Sequence, residues 1–223
     1  METRQVMFAA TRSVVEVSGI LLRPDNAEWM YVLAHGAGAG MLHPFLRTIS
    51  EGLAELGVAT FRFQFPYMEQ GRKPPNRPQI LTKTIRSAVR TAAELAPGLR
   101  IIAGGRSMGG RMTSIACSEN PIEDVEGLAF LGFPLHAPGR ESAERGGHLR
   151  GVGIPMLFLQ GTRDKLANLD LLQPLCDSLE ARATLHILDG GDHSFKPLKK
   201  SGRNHEELML EAQTTIVDLV REL

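Results

Sequence analysis

Two periods alternate along this chain. Short apolar runs of strand length occur at residues 14–22, 29–34, 58–65, 101–105, 127–132, 154–161 and 183–188. Between them apolar residues recur at helical spacing. Residues 44–56 place Phe45, Ile49, Leu53 and Leu56 on one face, with Pro44 in the first turn and Gly57 after the last. Residues 79–95 read as a helix stopped by Pro97-Gly98, and 110–118, 168–179 and 204–223 complete the set. Such alternation predicts an α/β fold: a mostly parallel, doubly wound sheet covered on both faces. Residues 14–22 are expected at an antiparallel edge, and Phe61, Phe63 and Phe65 on one face of their strand. Two stretches interrupt the pattern. Residues 67–78 are polar and hold three prolines, and 136–151 are rich in Gly, Arg and Glu. The second is too short for a domain-sized cap, so any site beside it should be open to solvent.

Composition narrows the function. At 223 residues the chain suits one domain spanning 1–223. Lys+Arg and Asp+Glu are equal at 25 each, which removes any global electrostatic case for nucleic acid or a membrane as partner. Cys117 and Cys176 both fall in predicted helices, so reduced, buried thiols in a cytoplasmic protein are expected rather than a disulfide. Residues 1–13 lack the apolar core of a secretion signal, and no apolar run reaches membrane-spanning length. His186 and His193 lie on different elements, and the glycines after residue 34 lack a ribose-binding acid in the right context, so no metal and no cofactor are expected. Nothing in the chain indicates an oligomeric state.

The chemistry concentrates at strand ends. The strand beginning at Ile101 runs into Gly105-Arg106-Ser107-Met108-Gly109, and a helix follows. Gly-x-Ser-x-Gly alone is a weak signal. Between a buried strand and a helix it becomes specific, because the sharp turn strains the serine backbone and pushes the hydroxyl out of the sheet. The amide of Met108 then sits at a helix N-terminus, where partial positive charge collects. Upstream, His35-Gly36-Ala37-Gly38-Ala39-Gly40 follows a strand, and the amide of Ala37 is the expected second oxyanion donor. Downstream, Asp164 and His193 each follow a strand. Asp164 would orient His193, and His193 would take the proton of Ser107. Other readings stay open here: Asp164 could cap the next helix, and Asp189 or Asp192 could orient the histidine.

Ligands of such sheets sit beyond the carboxyl ends of the strands. His35, Tyr67, Arg106 and His136 therefore count as candidate walls of a substrate pocket, although His35 also suits a structural bridge from the Gly-rich loop to the core. Arg106 and Arg111 flank the serine, and Lys196, Lys199, Lys200 and Arg203 follow the histidine. A basic rim on a neutral protein would draw anionic substrates.

With these residues in view the chain resembles an alpha/beta hydrolase over nearly its whole length, and the order Ser107, Asp164, His193 is that superfamily's order. More narrowly it resembles a small cap-less group that includes the testis-expressed hydrolase-like proteins and the hydrolase-like subunit of the NSL chromatin complex. Dienelactone hydrolases are more distant relatives. The resemblance rests on His35-Gly36-Ala37-Gly38, Phe65-Pro66-Tyr67-Met68-Glu69-Gln70-Gly71, Gly104 to Arg111, Gly132-Phe133-Pro134-Leu135-His136, and Asp192-His193-Ser194-Phe195-Lys196. It implies a serine hydrolase fold and triad and says little about substrate. Ser107 stands where dienelactone hydrolases carry a cysteine, which argues against importing their lactone specificity. The expected function is hydrolysis of a small carboxylic ester, thioester or amide through an acyl-enzyme. The alternative is a hydrolase fold used as an interaction module.

Overall fold

The computed structural model describes residues 1–11 and 15–223. Among the described residues eight strands form one sheet. They are β1 (Glu2–Ala9), β2 (Glu16–Arg23), β3 (Trp29–Ala34), β4 (Ala59–Phe63), β5 (Arg100–Arg106), β6 (Val125–Leu131), β7 (Met156–Gly161) and β8 (Ala183–Leu188). Their order across the sheet is β1-β2-β4-β3-β5-β6-β7-β8. From β4 to β8 neighbours run parallel, while β2 pairs antiparallel with both β1 and β4. The helices are α1 (Pro44–Glu55), α2 (Pro66–Glu69), α3 (Pro78–Leu95), α4 (Met108–Glu119), α5 (Leu169–Asp177) and α6 (His205–Glu222).

The central strands are apolar on both faces because both faces are covered. In β3, Met30, Val32 and Ala34 join one core layer, and Trp29, Tyr31 and Leu33 the other. The first layer takes its helical side chains mainly from α3, α4 and α5, including Ile85, Met112 and Leu172, with Tyr67 from α2. The second takes them from α1 and α6, including Ile49 and Ile216. Phe61, Phe63 and Phe65 all belong to the first layer, as their spacing predicts. Asn204 closes a capping box with Glu207, which sets the start of α6.

The N-terminal edge differs from the sequence reading. The strand expected at the edge, β2, is one place in, and β1 lies outside it. β1 carries little alternation that a sequence can show, because only Phe8 is buried, 5.8 Å from Phe61, with the partly buried Val6 beside it. The expected start of the first strand at Val14 lies outside the described residues. The stretch expected to be loop at 67–78 opens instead with the single turn α2. Between β6 and β7 the only regular structure among the described residues is a 3₁₀ segment, Glu144–Gly151, so no cap covers the strand ends.

β3 lies between β4 and β5, so the chain leaves β3 toward one side and returns to β5 on the other. The helices that follow β3 and β5, α1 and α4, pack on opposite faces, so the strand order reverses at the carboxyl ends of these two strands, where ligands of such sheets sit.

Candidate active site

Ser107 occupies the turn between β5 and α4 with φ +51° and ψ −118°, a backbone conformation that costs energy for any residue with a side chain. It persists because its surroundings leave no alternative. The Ser107 N–H donates to Leu131 O at 3.1 Å on the neighbouring strand. The helix behind it lies so close to β3 that a Cβ on Gly109 would stand 2.5 Å from Ala34 O, and one on Gly105 would stand 2.1 Å from the same atom. Met108 is the first residue of α4, so its N–H points out of a helix N-terminus.

Two further loops reach this turn. Asp164 follows β7 and His193 follows β8, and His193 Nδ1 lies 2.7 Å from Asp164 Oδ2. The Asp164 side chain is fully buried, with 0% exposure, and that of His193 is 25% exposed. Asp164 Oδ1 accepts the Leu166 N–H at 2.8 Å, but the cap of α5 is Asn168. Asp192 is turned away from the imidazole: its Oδ1 accepts the N–H groups of Ser194 at 2.7 Å and Lys196 at 3.0 Å. Asp189 interacts instead with the Thr162 hydroxyl. Gly132, the residue after β6, is pressed against the Asp164–His193 contact. A Cβ there would stand 3.2 Å from His193 Nδ1 and 3.4 Å from Asp164 Oδ2. Ser107 and His193 are thus linked through Leu131 and Gly132. They make no direct hydrogen bond in this structure, a contact that often tightens only around substrate.

One residue of this arrangement escapes a reading of the sequence. Gln160, fully buried near the end of β7, donates from Nε2 to Asp164 Oδ2 at 2.5 Å and accepts the Phe133 N–H on Oε1 at 2.9 Å. The available signal is an amide in an otherwise apolar strand, four residues before the acid.

The Gly-rich loop after β3 lies against Ser107. A Cβ on Gly36 would stand 3.6 Å from Ser107 Cβ. Ala37 and Gly38 are exposed. Among the described residues neither the Ala37 N–H nor the Met108 N–H has a protein acceptor. The neighbouring Gly38 N–H is bound, to the Tyr67 hydroxyl at 2.9 Å.

Three residues expected to wall a pocket are turned inward: His35 is 0% exposed, Tyr67 0% and His136 3%. His35 Nε2 accepts the Phe65 N–H at 3.1 Å, so Nδ1 carries the proton and donates to Gly36 O at 2.8 Å. Burial pushes its pKa down to about 4, which keeps the ring neutral in this bridging role. Tyr67 holds the Gly-rich loop, and burial raises its pKa. His136 Nε2 accepts the Asn168 N–H at 2.8 Å, and its Nδ1 donates to Ala137 O at 3.0 Å.

The fourth expected wall residue, Arg106, is only partly buried and remains beside Ser107. Of the other cations, Arg203 is paired with Glu211 and Glu207, and Arg111 lies against the backbone of Arg145. Lys196, Lys199 and Lys200 are exposed.

A sequence model of the alpha/beta hydrolase domain matches residues 27–221. Solved structures of the same architecture include a dienelactone hydrolase from Anabaena variabilis, 20% identical with a TM-score of 0.74 over 100% of this chain and 97% of the other. A serine hydrolase without a lid from Xanthomonas campestris is 17% identical with a TM-score of 0.76, over 98% of this chain and 95% of the other. The ferulic-acid complex of Est1E from Butyrivibrio proteoclasticus is 15% identical with a TM-score of 0.73, over 97% and 99%. At these identities the likeness is one of fold, and it agrees with the absence of a cap among the described residues.

Proposed function

Because the chain belongs to the alpha/beta hydrolase family, we propose that it is a serine hydrolase that cleaves a small carboxylic ester, thioester or amide through an acyl-enzyme. The observation that carries this reading is the 2.7 Å contact between His193 Nδ1 and the buried Asp164 carboxylate, beside a serine held at φ +51°. The carboxylate keeps the proton on Nδ1, which leaves Nε2 as the base. Ser107 Oγ bonds to the substrate carbonyl carbon as its proton passes to His193 Nε2. The resulting oxyanion takes the N–H groups of Ala37 and Met108, whose lack of other acceptors supports the role. His193 returns the proton to the leaving oxygen, sulfur or nitrogen as that bond breaks. Water then attacks the acyl-enzyme, giving one proton to His193, which passes it to Ser107 as the free acid departs.

The test is a panel of para-nitrophenyl esters, short-chain thioesters and dipeptide amides. Turnover of at least one class, lost in Ser107→Ala, supports the reading. Failure to turn over any of them in a folded protein favours the interaction module.

A further inference from the structure

We infer that the site accepts a substrate carrying a carboxylate and holds that carboxylate on the guanidinium of Arg106. The inference rests on the serine hydrolase reading and adds the substrate's charge to it.

Arg106 directly precedes Ser107, and its side chain is fixed in place. Cγ lies 3.9 Å from where a Gly36 Cβ would be, and the guanidinium carbon sits 4.7 Å from the centre of the Phe45 ring. Nη2 donates to the Ser194 hydroxyl at 2.6 Å, one residue past His193. The side chain therefore runs beside the Gly-rich loop, and its guanidinium contacts α1 and the histidine loop.

Despite this enclosure its hydrogen-bonding capacity is unfilled. Nε is buried without an acceptor. Nη1 takes no protein acceptor among the described residues, and no carboxylate there lies within ion-pairing distance. The carboxylates that act on it through space, Asp164 and Asp192, are already hydrogen-bonded elsewhere. Arg100 and Arg203 are neutralised by Glu126 and Glu211, and the buried Arg62, whose Nε is likewise unfilled, faces the backbone of Met41 rather than Ser107. A planar, preorganised guanidinium left unpaired in a half-buried position suits a carboxylate more than a neutral group.

The surrounding field has the same sign. His43, at the N-cap of α1, is held below its ordinary pKa by burial and then by Arg106 and Lys196. Both cations thus act on one rim.

The test uses two matched substrate pairs. The mono-para-nitrophenyl ester of adipic acid against para-nitrophenyl hexanoate places the charge on the acyl side. Para-acetoxybenzoate against phenyl acetate places it on the leaving group. In wild type, kcat/KM should favour the charged member of one pair by about tenfold or more, as expected for a charged hydrogen bond. That ratio should collapse in Arg106→Gln, recover in part in Arg106→Lys, and shrink as salt is raised. Free adipate should also slow fluorophosphonate labelling of wild-type Ser107, a readout that needs no variant to fold. A labelled wild type with no preference in either pair and no protection by adipate overturns this inference alone. A wild type that is neither labelled nor active on any of the four esters overturns the serine hydrolase reading, and this inference with it.

Discussion

Gln160 Nε2 donates to Asp164 Oδ2 at 2.5 Å, the same oxygen that faces His193 Nδ1 at 2.7 Å. Asp164 Oδ1 takes the Leu166 N–H. Together these partners hold the carboxylate in one rotamer. The Phe133 N–H bound to Gln160 Oε1 decides which end of the amide faces Asp164. Gln160 thereby acts as a positioning residue for the proposed acid.

Replacing Gln160 with Leu leaves the Phe133 N–H buried without a partner and frees the Asp164 carboxylate to rotate. We expect kcat to fall about tenfold with KM nearly unchanged, and stability to fall by about 1–3 kcal/mol. Steady-state kinetics on a short ester, together with a denaturant titration, measure the two. A change in KM alone speaks against the positioning role.

Asp164 and Asp192 should differ sharply. Asp164→Asn presents the wrong hydrogen-bonding group to Nδ1 and is expected to lower kcat by roughly 10⁴, the scale known for amidation of a triad acid. Asp192→Asn retains a side-chain oxygen for the N–H groups of Ser194 and Lys196, so its effect should be small. Comparison of kcat in the two variants decides the matter, and the reverse ranking removes Asp164 from the mechanism.

Tyr67→Phe deletes the acceptor of the Gly38 N–H and nothing else polar. The loop that carries Ala37 should loosen, lowering kcat by about tenfold while costing only about 1 kcal/mol of stability. An unchanged kcat would show that the loop holds its shape without this bond.

Acid should destabilise the fold before most carboxylates titrate. His35 and His148 are both held neutral by burial, each with a pKa pushed down from 6.5 to about 4. Between those values the unfolded chain binds more protons than the folded one, so stability is full above pH 6.5 and declines as pH falls toward 4. The loss is up to about 3 kcal/mol for the buried His35 and smaller for the partly exposed, solvent-screened His148. Urea titrations from pH 7 downward check this. The slope should lessen in His148→Gln, which preserves an acceptor or donor for the Ser114 hydroxyl. A flat profile over this range contradicts it.

The sequence is most readable where burial is symmetrical. β3, β5 and β7 are covered on both faces, so their apolar runs stand out, and the turns after them carry Gly36, Ser107 and Asp164 in plain view. β1 was not legible because an edge strand that buries only Phe8 has no pattern to display. The inward placement of His35, Tyr67 and His136 depends on the path of the chain after β3, β4 and β6, which periodicity within a strand does not encode. Asp164 is the partner of His193 expected from the sequence, and the occupation of Asp192 by its own loop's backbone supports that expectation over the alternative. Gln160 needed a contact with Phe133 from a different strand's loop, which no local pattern encodes.

Covalent labelling by a fluorophosphonate, read by intact mass and peptide mapping, tests Ser107 as the nucleophile most directly. A serine hydrolase of this design gives one adduct per wild-type chain, on Ser107, and no adduct on Ser107→Ala with its circular dichroism and melting curve preserved. Labelling of the variant at the wild-type rate, or a folded wild type that stays unlabelled, would contradict that assignment.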